Sequence, residues 1–266
     1  MALPQKKIVL ITGATSGLGW ETVKALIQTT QTYHVYLGCL TLDEGSNAVT
    51  KLRCEVPETL STLEPIQVDL TSDKSIDQCF HTMQSKSDRV DVLINNAGIS
   101  LQAADVGMRE AWNRCYNVNV TGTQIMTNTF IPLLLRSQDP RLLFITSGLS
   151  SLGPMGGVYT PTRMPVPAGW PKPEVHPYRA YRASKTAMNM IMLEWHWQLK
   201  ADGIKTWGVS PGFLATDLGA SFAGMAGAPP LLHPSVGAKL VVLVVEGGRD
   251  ADVGRVVLKD GAIQEF

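Results

Sequence analysis

The chain has 266 residues, 44% hydrophobic and 17% charged, enough to bury a large core as one domain. Its 23 basic and 23 acidic residues cancel, which removes the electrostatic case for a nucleic-acid or anionic-membrane partner. The longest purely aliphatic stretch, Leu240 to Val245, is far too short to span a bilayer, and no charged and apolar leader precedes the first apolar run.

In chain order, apolar runs bounded by turn residues alternate with helix-length segments, the pattern of a parallel sheet wrapped by helices. The first predicted strand, 7–12, contains Ile8-Val9-Leu10-Ile11 and runs into the glycine turn Thr12 to Gly19. Trp20 to Thr29 reads as the first crossover helix, 33–38 as the second strand and Asp43 to Arg53 as the second helix. Strand 64–68 follows, then Thr71-Ser72-Asp73 as the cap of a third helix, then strand 91–94. Arg109 to Arg136 holds one long helix or two, and strand 141–146 comes next. Tyr181 to Asp202 is strongly amphipathic, and strands 204–209 and 254–258 close the series. The expected fold class is α/β, a doubly wound parallel sheet in a single domain spanning 1–266.

One segment breaks the pattern. Pro154 to Pro177 contains seven prolines and neither a helical nor a strand period. A loop that long inside a compact domain is usually functional or disordered, and this one joins two candidate catalytic residues, Ser147 and Tyr181. It is expected to arch over the active site. The four cysteines, Cys39, Cys54, Cys79 and Cys115, are scattered without a Cys-x-x-Cys pair, so reduced thiols in a cytoplasmic enzyme are expected. The five histidines are isolated, and no metal is expected.

Two motifs carry chemistry. Gly13, Gly17 and Gly19 follow a strand and open a helix, with the tight turning and close backbone approach that a dinucleotide phosphate requires. Tyr181 and Lys185 are four apart, which places a phenol and an ammonium on one helix face where the cation can lower the phenol pKa. Taken together and in this order, the two motifs resemble the short-chain dehydrogenase/reductase family over nearly the whole chain.

That resemblance implies a Rossmann-type fold and a nicotinamide cofactor held by Gly13, Thr15, Ser16, Gly17, Leu18 and Gly19. Asn95-Asn96-Ala97-Gly98 matches the family's Asn-Asn-Ala-Gly motif beside the adenosine ribose, which adds Asn96, Ala97 and Gly98. Val68-Asp69-Leu70 resembles the adenine-flanking segment, with Asp69 accepting from the adenine amino group and Leu70 beside it. Read alone, Asp69 is as well suited to helix capping. Pro211-Gly212-Phe213-Leu214-Ala215-Thr216 resembles the family's Pro-Gly turn, which adds Pro211, Gly212, Leu214 and Thr216 at the nicotinamide. At the end of the second strand the family's NAD-type acid is replaced by Cys39 and its NADP-type arginine by Leu40. With no repelling acid, and with Thr41 able to bond a phosphate, NADP(H) is expected to be preferred over NAD(H).

The catalytic set that the resemblance implies is Ser147, Tyr181, Lys185 and Asn119. Ser147 bonds the substrate oxygen, with Ser150 and Ser151 less favoured because they fall past the strand end. Tyr181 is the general acid/base, and Tyr178, which lacks a lysine at i+4, is the decoy. Lys185 also binds the nicotinamide ribose, and Asn119 interrupts a helix to hold a water in the proton relay; Asn117 competes for that role. An apolar and aromatic substrate pocket is expected from Leu149, Met155, Tyr159, Trp170, Phe213 and Phe222. It would suit a hydrophobic ketone or secondary alcohol, a polycyclic one included. The same fold also supports a cofactor-binding module with a redox-sensing or isomerising role. A sugar-nucleotide epimerase of the family's extended branch fits less well, since such chains carry Gly-x-x-Gly-x-x-Gly. Family members often assemble as dimers or tetramers through the helices holding Asn119 and Tyr181, unless the proline-rich insert covers that surface and leaves a monomer.

Overall fold

The computed structural model describes residues 6–153, 167–172, 178–220 and 230–266. Seven parallel strands form one sheet in the order β3-β2-β1-β4-β5-β6-β7. The strands are β1 (Lys7–Ile11), β2 (Tyr33–Cys39), β3 (Thr62–Gln67), β4 (Val92–Asn95), β5 (Arg141–Ile145), β6 (Lys205–Ser210) and β7 (Val256–Leu258). Strand order reverses between β1 and β4, and at such a point the crossover loops part and leave a crevice at the carboxyl ends of the strands.

Both faces of the sheet are covered, so the strands are apolar on both sides. Val9, Ile11, Val92, Ile94, Leu143 and Ile145 point to one face, packed by α1 (Gly17–Ile27), α2 (Leu42–Glu55) and α9 (Pro234–Val245). Leu10, Leu93, Leu142 and Phe144 alternate to the other, under α3 (Asp73–Lys86), α6 (Thr123–Leu134) and α7 (Arg179–Leu199). The short helix α8 (Asp217–Ala220) lines the crevice, and α4 (Ala103–Val106) packs on α5 (Met108–Tyr116), which leads into α6.

The segment expected as one helix or two is both. Helices α5 and α6 are joined without a loop by a π-helical turn, Asn117–Gly122, that holds the interrupting Asn119. Gly122 makes close packing possible there, since a Cβ would overlap the Leu70 carbonyl. The aliphatic run Leu240 to Val245 is the second half of α9, which starts with proline inside its first turn and a His233 cap. Gly237 lets α9 approach Pro211 and Leu214, so this helix buttresses a wall of the crevice. Among the described residues no helix is long and apolar enough to cross a membrane.

The opposite, amino-terminal edge of the sheet is ionic. Arg141, only 3% exposed, donates to both oxygens of Asp250 (2.6 and 3.0 Å), to Asp139 (3.0 and 3.2 Å) and to the Val244 carbonyl (3.0 Å). Lys205 bridges the same two aspartates at 2.7 and 3.0 Å. The Arg141 and Lys205 bonds hold Asp250 below the usual carboxylate range. They also hold Asp139 well below it, against the opposing effect of its own burial.

Because both carboxyls are more acidic in the fold than in the unfolded chain, their contribution to stability is complete above about pH 4 and is lost as pH falls below it. Asp250→Asn is expected to lower stability at pH 7 by roughly 1–3 kcal/mol, the cost of leaving a buried charged donor short of a partner. It should also flatten the acid limb of a plot of melting temperature against pH. An unchanged acid limb would show that the cluster contributes nothing.

Candidate active site

The crevice is a cleft of about 670 Å³ at the carboxyl ends of the strands. Strand β1 delivers the turn Thr12 to Gly19 into its floor. Gly13 (φ 64°) and Gly17 (φ 53°) are left-handed, a conformation that disfavours any side chain, and a Cβ on Gly19 would overlap the Gly13 carbonyl. Ser16 caps α1 with its backbone alone, so the first N–H groups of this helix receive no bond from a capping side chain. Thr15, Ser16, Gly17, Leu18 and Gly19 all line it. A cradle that tolerates no Cβ, set at a helix N-terminus, fits the pyrophosphate of a nicotinamide dinucleotide.

Asn96 is placed by bonds to this turn. Its side-chain amide donates to the carbonyls of Thr12 (2.8 Å) and Gly13 (2.9 Å), while Ala97 and Gly98 continue along the wall. Val68, Asp69 and Leu70 line the far end, with Arg114. Asp69 spends one carboxylate oxygen on the Thr71 N–H (2.8 Å) and hydroxyl (2.7 Å), and Ser72 is the residue that caps α3.

At the end of β2 the cleft meets Gly38, Cys39, Leu40 and Glu44. Cys39 turns its thiol inward to the Ile66 carbonyl at 3.3 Å, and burial, with Glu44 nearby, pushes that thiol up. Thr41, expected at a phosphate, does not line the cleft: its hydroxyl accepts from the Glu44 N–H at 3.3 Å and caps α2. Glu44 on the cleft wall was not expected. The spacing Thr41-x-x-Glu44 signals a helix start, whose first turn faces the crevice.

Ser147, Tyr181 and Lys185 meet in the deepest part. Ser147 follows β5, and its hydroxyl accepts from the Leu149 N–H at 3.2 Å, starting the short 3-10 turn Gly148–Ser150. Tyr181 is 5% exposed and hydrogen-bonds the Ser147 side chain. The Lys185 ammonium lies 5.8 Å from the centre of the Tyr181 ring and donates to the Ile145 carbonyl at 2.7 Å. Within the protein alone, burial governs both titrating groups. Burial pushes Tyr181 up to about 12, with the Ser147 bond pulling it back, and burial pulls Lys185 down to about 8. Desolvation of the charged form is the largest cause of each shift.

Asn119 is fully buried behind this group and outside the cleft wall. Its carbonyl oxygen accepts from Ile99 N–H (2.8 Å), and its amide donates to the Ile99 carbonyl and the Ser184 hydroxyl (both 2.9 Å). These bonds brace the loop after β4 against α7. Asn117, its competitor, does line the cleft.

On the substrate side, Leu149, Phe213 and Leu218 line the cleft and pack with Tyr178 against Tyr181. Pro211, Gly212, Leu214 and Thr216 form the adjoining wall. Met155, Tyr159 and Phe222 lie outside the described residues. Trp170 is 86% exposed and is not brought to the cleft.

Comparison with known proteins agrees with this geometry. Residues 7–164 match the family model described as short chain dehydrogenase. The short-chain dehydrogenase/reductase tropE of Talaromyces stipitatus is 74% identical over 266 residues, 100% of both chains. The short-chain dehydrogenase/reductase eupG of a Phoma species is 44% identical over 256 residues, 92% of each. Among solved structures, the NADPH-bound carbonyl reductase from chicken fatty liver is similar with a TM-score of 0.79 at 19% identity, covering 98% of this chain and 100% of that one. A 3-ketoacyl-(acyl-carrier-protein) reductase from Brucella melitensis complexed with NADH gives 0.74 at 21%, covering 95% and 96%. At these identities the likeness is one of fold.

Proposed function

This chain belongs to the short-chain dehydrogenase/reductase family of NAD(P)-dependent oxidoreductases, and we propose that it interconverts a hydrophobic ketone and a secondary alcohol with NADP(H) preferred. The observation that carries the reading is the buried contact of Tyr181 with Ser147, with Lys185 beside it, under an apolar wall of Leu149, Phe213 and Leu218. A bound nicotinamide supplies or accepts the hydride.

In the reductive direction the Ser147 hydroxyl donates to the carbonyl oxygen, and Tyr181 protonates that oxygen as negative charge develops on it. A phenol held well above neutral is fully protonated and ready to donate. Lys185, beside the Tyr181 ring, would stabilise the phenolate left behind and hold the ribose hydroxyls of a bound nicotinamide. Asn119 acts by holding the Ile99 loop and Ser184 in place. Leu149, Phe213 and Leu218 exclude water from the reacting carbon.

Tyr181→Phe is expected to lower kcat by about 10²–10⁴-fold, the usual loss when a general acid is removed, with NADPH affinity nearly unchanged. Lys185→Ala should weaken NADPH binding as well. Steady-state kinetics paired with fluorescence titration separates the two. A Tyr181→Phe enzyme within threefold of the unmodified one removes this tyrosine from the mechanism.

For the cofactor, two features favour a 2′-phosphate: Cys39 in place of an acid, and the positive end of α2 close by. Glu44 opposes it, and the cations lining the cleft, Arg114 and Lys185, belong to other parts of it. A modest NADPH preference is the expected balance, tested by dissociation constants for NADPH and NADH. Leu40→Arg should tighten NADPH by roughly 1.5–3 kcal/mol through a charge-assisted bond. Cys39→Asp should reverse the order. Equal or tighter NADH binding by the unmodified protein refutes the preference.

The proline-rich segment 154–177 is proposed as a lid over the substrate, since it leaves from the Ser147 loop and returns at Tyr178 beside Tyr181. Replacing 156–174 by a short glycine-serine linker should raise KM for the ketone and spare NADPH binding. Unaltered kcat/KM after that replacement rejects the lid.

A further inference from the structure

Behind Ser147 lies a buried polar network that the proton transfer does not use. Its centre is Ser150, 1% exposed, at the end of the 3-10 turn. The Ser150 hydroxyl donates to the Ser147 carbonyl at 2.5 Å and accepts from two amides, Asn189 Nδ2 at 2.8 Å and Gln264 Nε2 at 3.0 Å. One donated and two accepted bonds fill the usual capacity of a serine hydroxyl, and the Thr146 hydroxyl lies alongside at 3.2 Å as a fourth neighbour. The Ser150 N–H adds a second bond to the same Ser147 carbonyl at 2.9 Å, and the Ser150 carbonyl accepts from Thr186 at 2.9 Å.

The third partner comes from far along the chain. Gln264 is 6% exposed, and its backbone N–H donates to the Val256 carbonyl at 2.9 Å, which anchors it on β7. Next to it the Ser151 hydroxyl donates to the Glu265 carbonyl at 2.5 Å. The tail after β7 therefore straps the turn 148–151 from one side while Asn189 and Thr186, on α7, hold it from the other. Helix α7 also carries Tyr181 and Lys185, so the strap closes a frame around all three reacting side chains.

We infer that Gln264 is a positioning residue that acts through Ser150 to aim Ser147. The Ser147 hydroxyl already accepts from the Leu149 N–H, which leaves its proton to be directed at Tyr181 or a substrate oxygen. That direction is set by the Ser147 backbone, whose carbonyl the Ser150 hydroxyl and N–H both hold. In a dry interior such bonds are strong, so removing the Gln264 amide loosens the turn on the side of the tail while Asn189 and Thr186 still hold it from α7. The inference rests on the proposed role of Ser147.

Gln264→Met keeps the length of the side chain and removes its donor. Three quantities decide: hydrogen exchange of the amides 147–151, the NADPH dissociation constant, and kcat with KM for reduction of trans-1-decalone as a bicyclic ketone probe. Exchange is expected to speed up at least tenfold at Leu149 and Ser150, kcat to fall about tenfold, and NADPH affinity to stay within twofold. Ser150→Ala should reproduce all three effects. Unchanged exchange, or faster exchange with unchanged kcat in an enzyme that Ser147→Ala inactivates, overturns the inference. If Ser147→Ala leaves turnover intact or the probe is not reduced, the catalytic reading fails on its own terms. The exchange measurement, which needs no turnover, then still decides whether Gln264 braces the turn.

Discussion

The cofactor side of this molecule depends on a four-bond clamp between Thr12 and the start of the loop after β4. The Thr12 hydroxyl accepts from the N–H groups of Asn96 and Ala97, both at 3.0 Å, and the Asn96 amide returns bonds to the carbonyls of Thr12 and Gly13. The clamp sits where the strand order reverses, so it closes the one seam of the sheet at which the loops diverge. With it in place Gly13 is pinned against Ala97, the left-handed turn has a fixed base, and α1 starts at a set distance from the far wall. Each of these groups is a neutral amide, hydroxyl or carbonyl, so the clamp holds without placing charge under an anionic ligand.

A second brace holds the same loop from its other side. The π-helical turn rotates Asn119 inward, where it ties Ile99 to Ser184 on α7. A regular helix would carry this asparagine past the site by part of a turn. Gly98 lies between the braces, and a Cβ there would press on both Asn119 and the Lys185 ammonium. The geometry around Lys185 is thus set by packing in a dry space, which also explains why its proton is held less tightly than in water.

Much of this was legible from residue order because the relevant constraints are local. Aliphatic runs ending in turn residues located the seven strands of the sheet, and the family resemblance around Asn119 implied a break in its helix. What was not legible depends on distant partners. Helix α9 carried a start signal in His233-Pro234, but its apolar run resembles a strand until α1 is seen packed against it. The phenol of Tyr181 and the ammonium of Lys185 have the helical spacing that favours pKa lowering, yet burial by Leu149, Phe213 and the sheet prevails. Thr41 caps α2 while Glu44 lines the cleft, because the start and phase of that helix, not composition, decide which of them faces it. Gln264 stood more than a hundred residues from Ser150, beyond any local pattern.

The ionic cluster around Arg141 occupies the sheet edge opposite the cleft, and its members sit at or near the starts of β5 and β6 and beside the end of α9. Stability and chemistry are therefore held at opposite ends of the same strands, separated by the length of a strand of five or six residues. A lineage that retunes the cleft for a new substrate, accepting strain or lost contacts there, can recover stability at the far edge without touching a residue of the cleft. Variation in the two regions should then be uncoupled, so that substrate range drifts quickly while the folding scaffold stays recognisable.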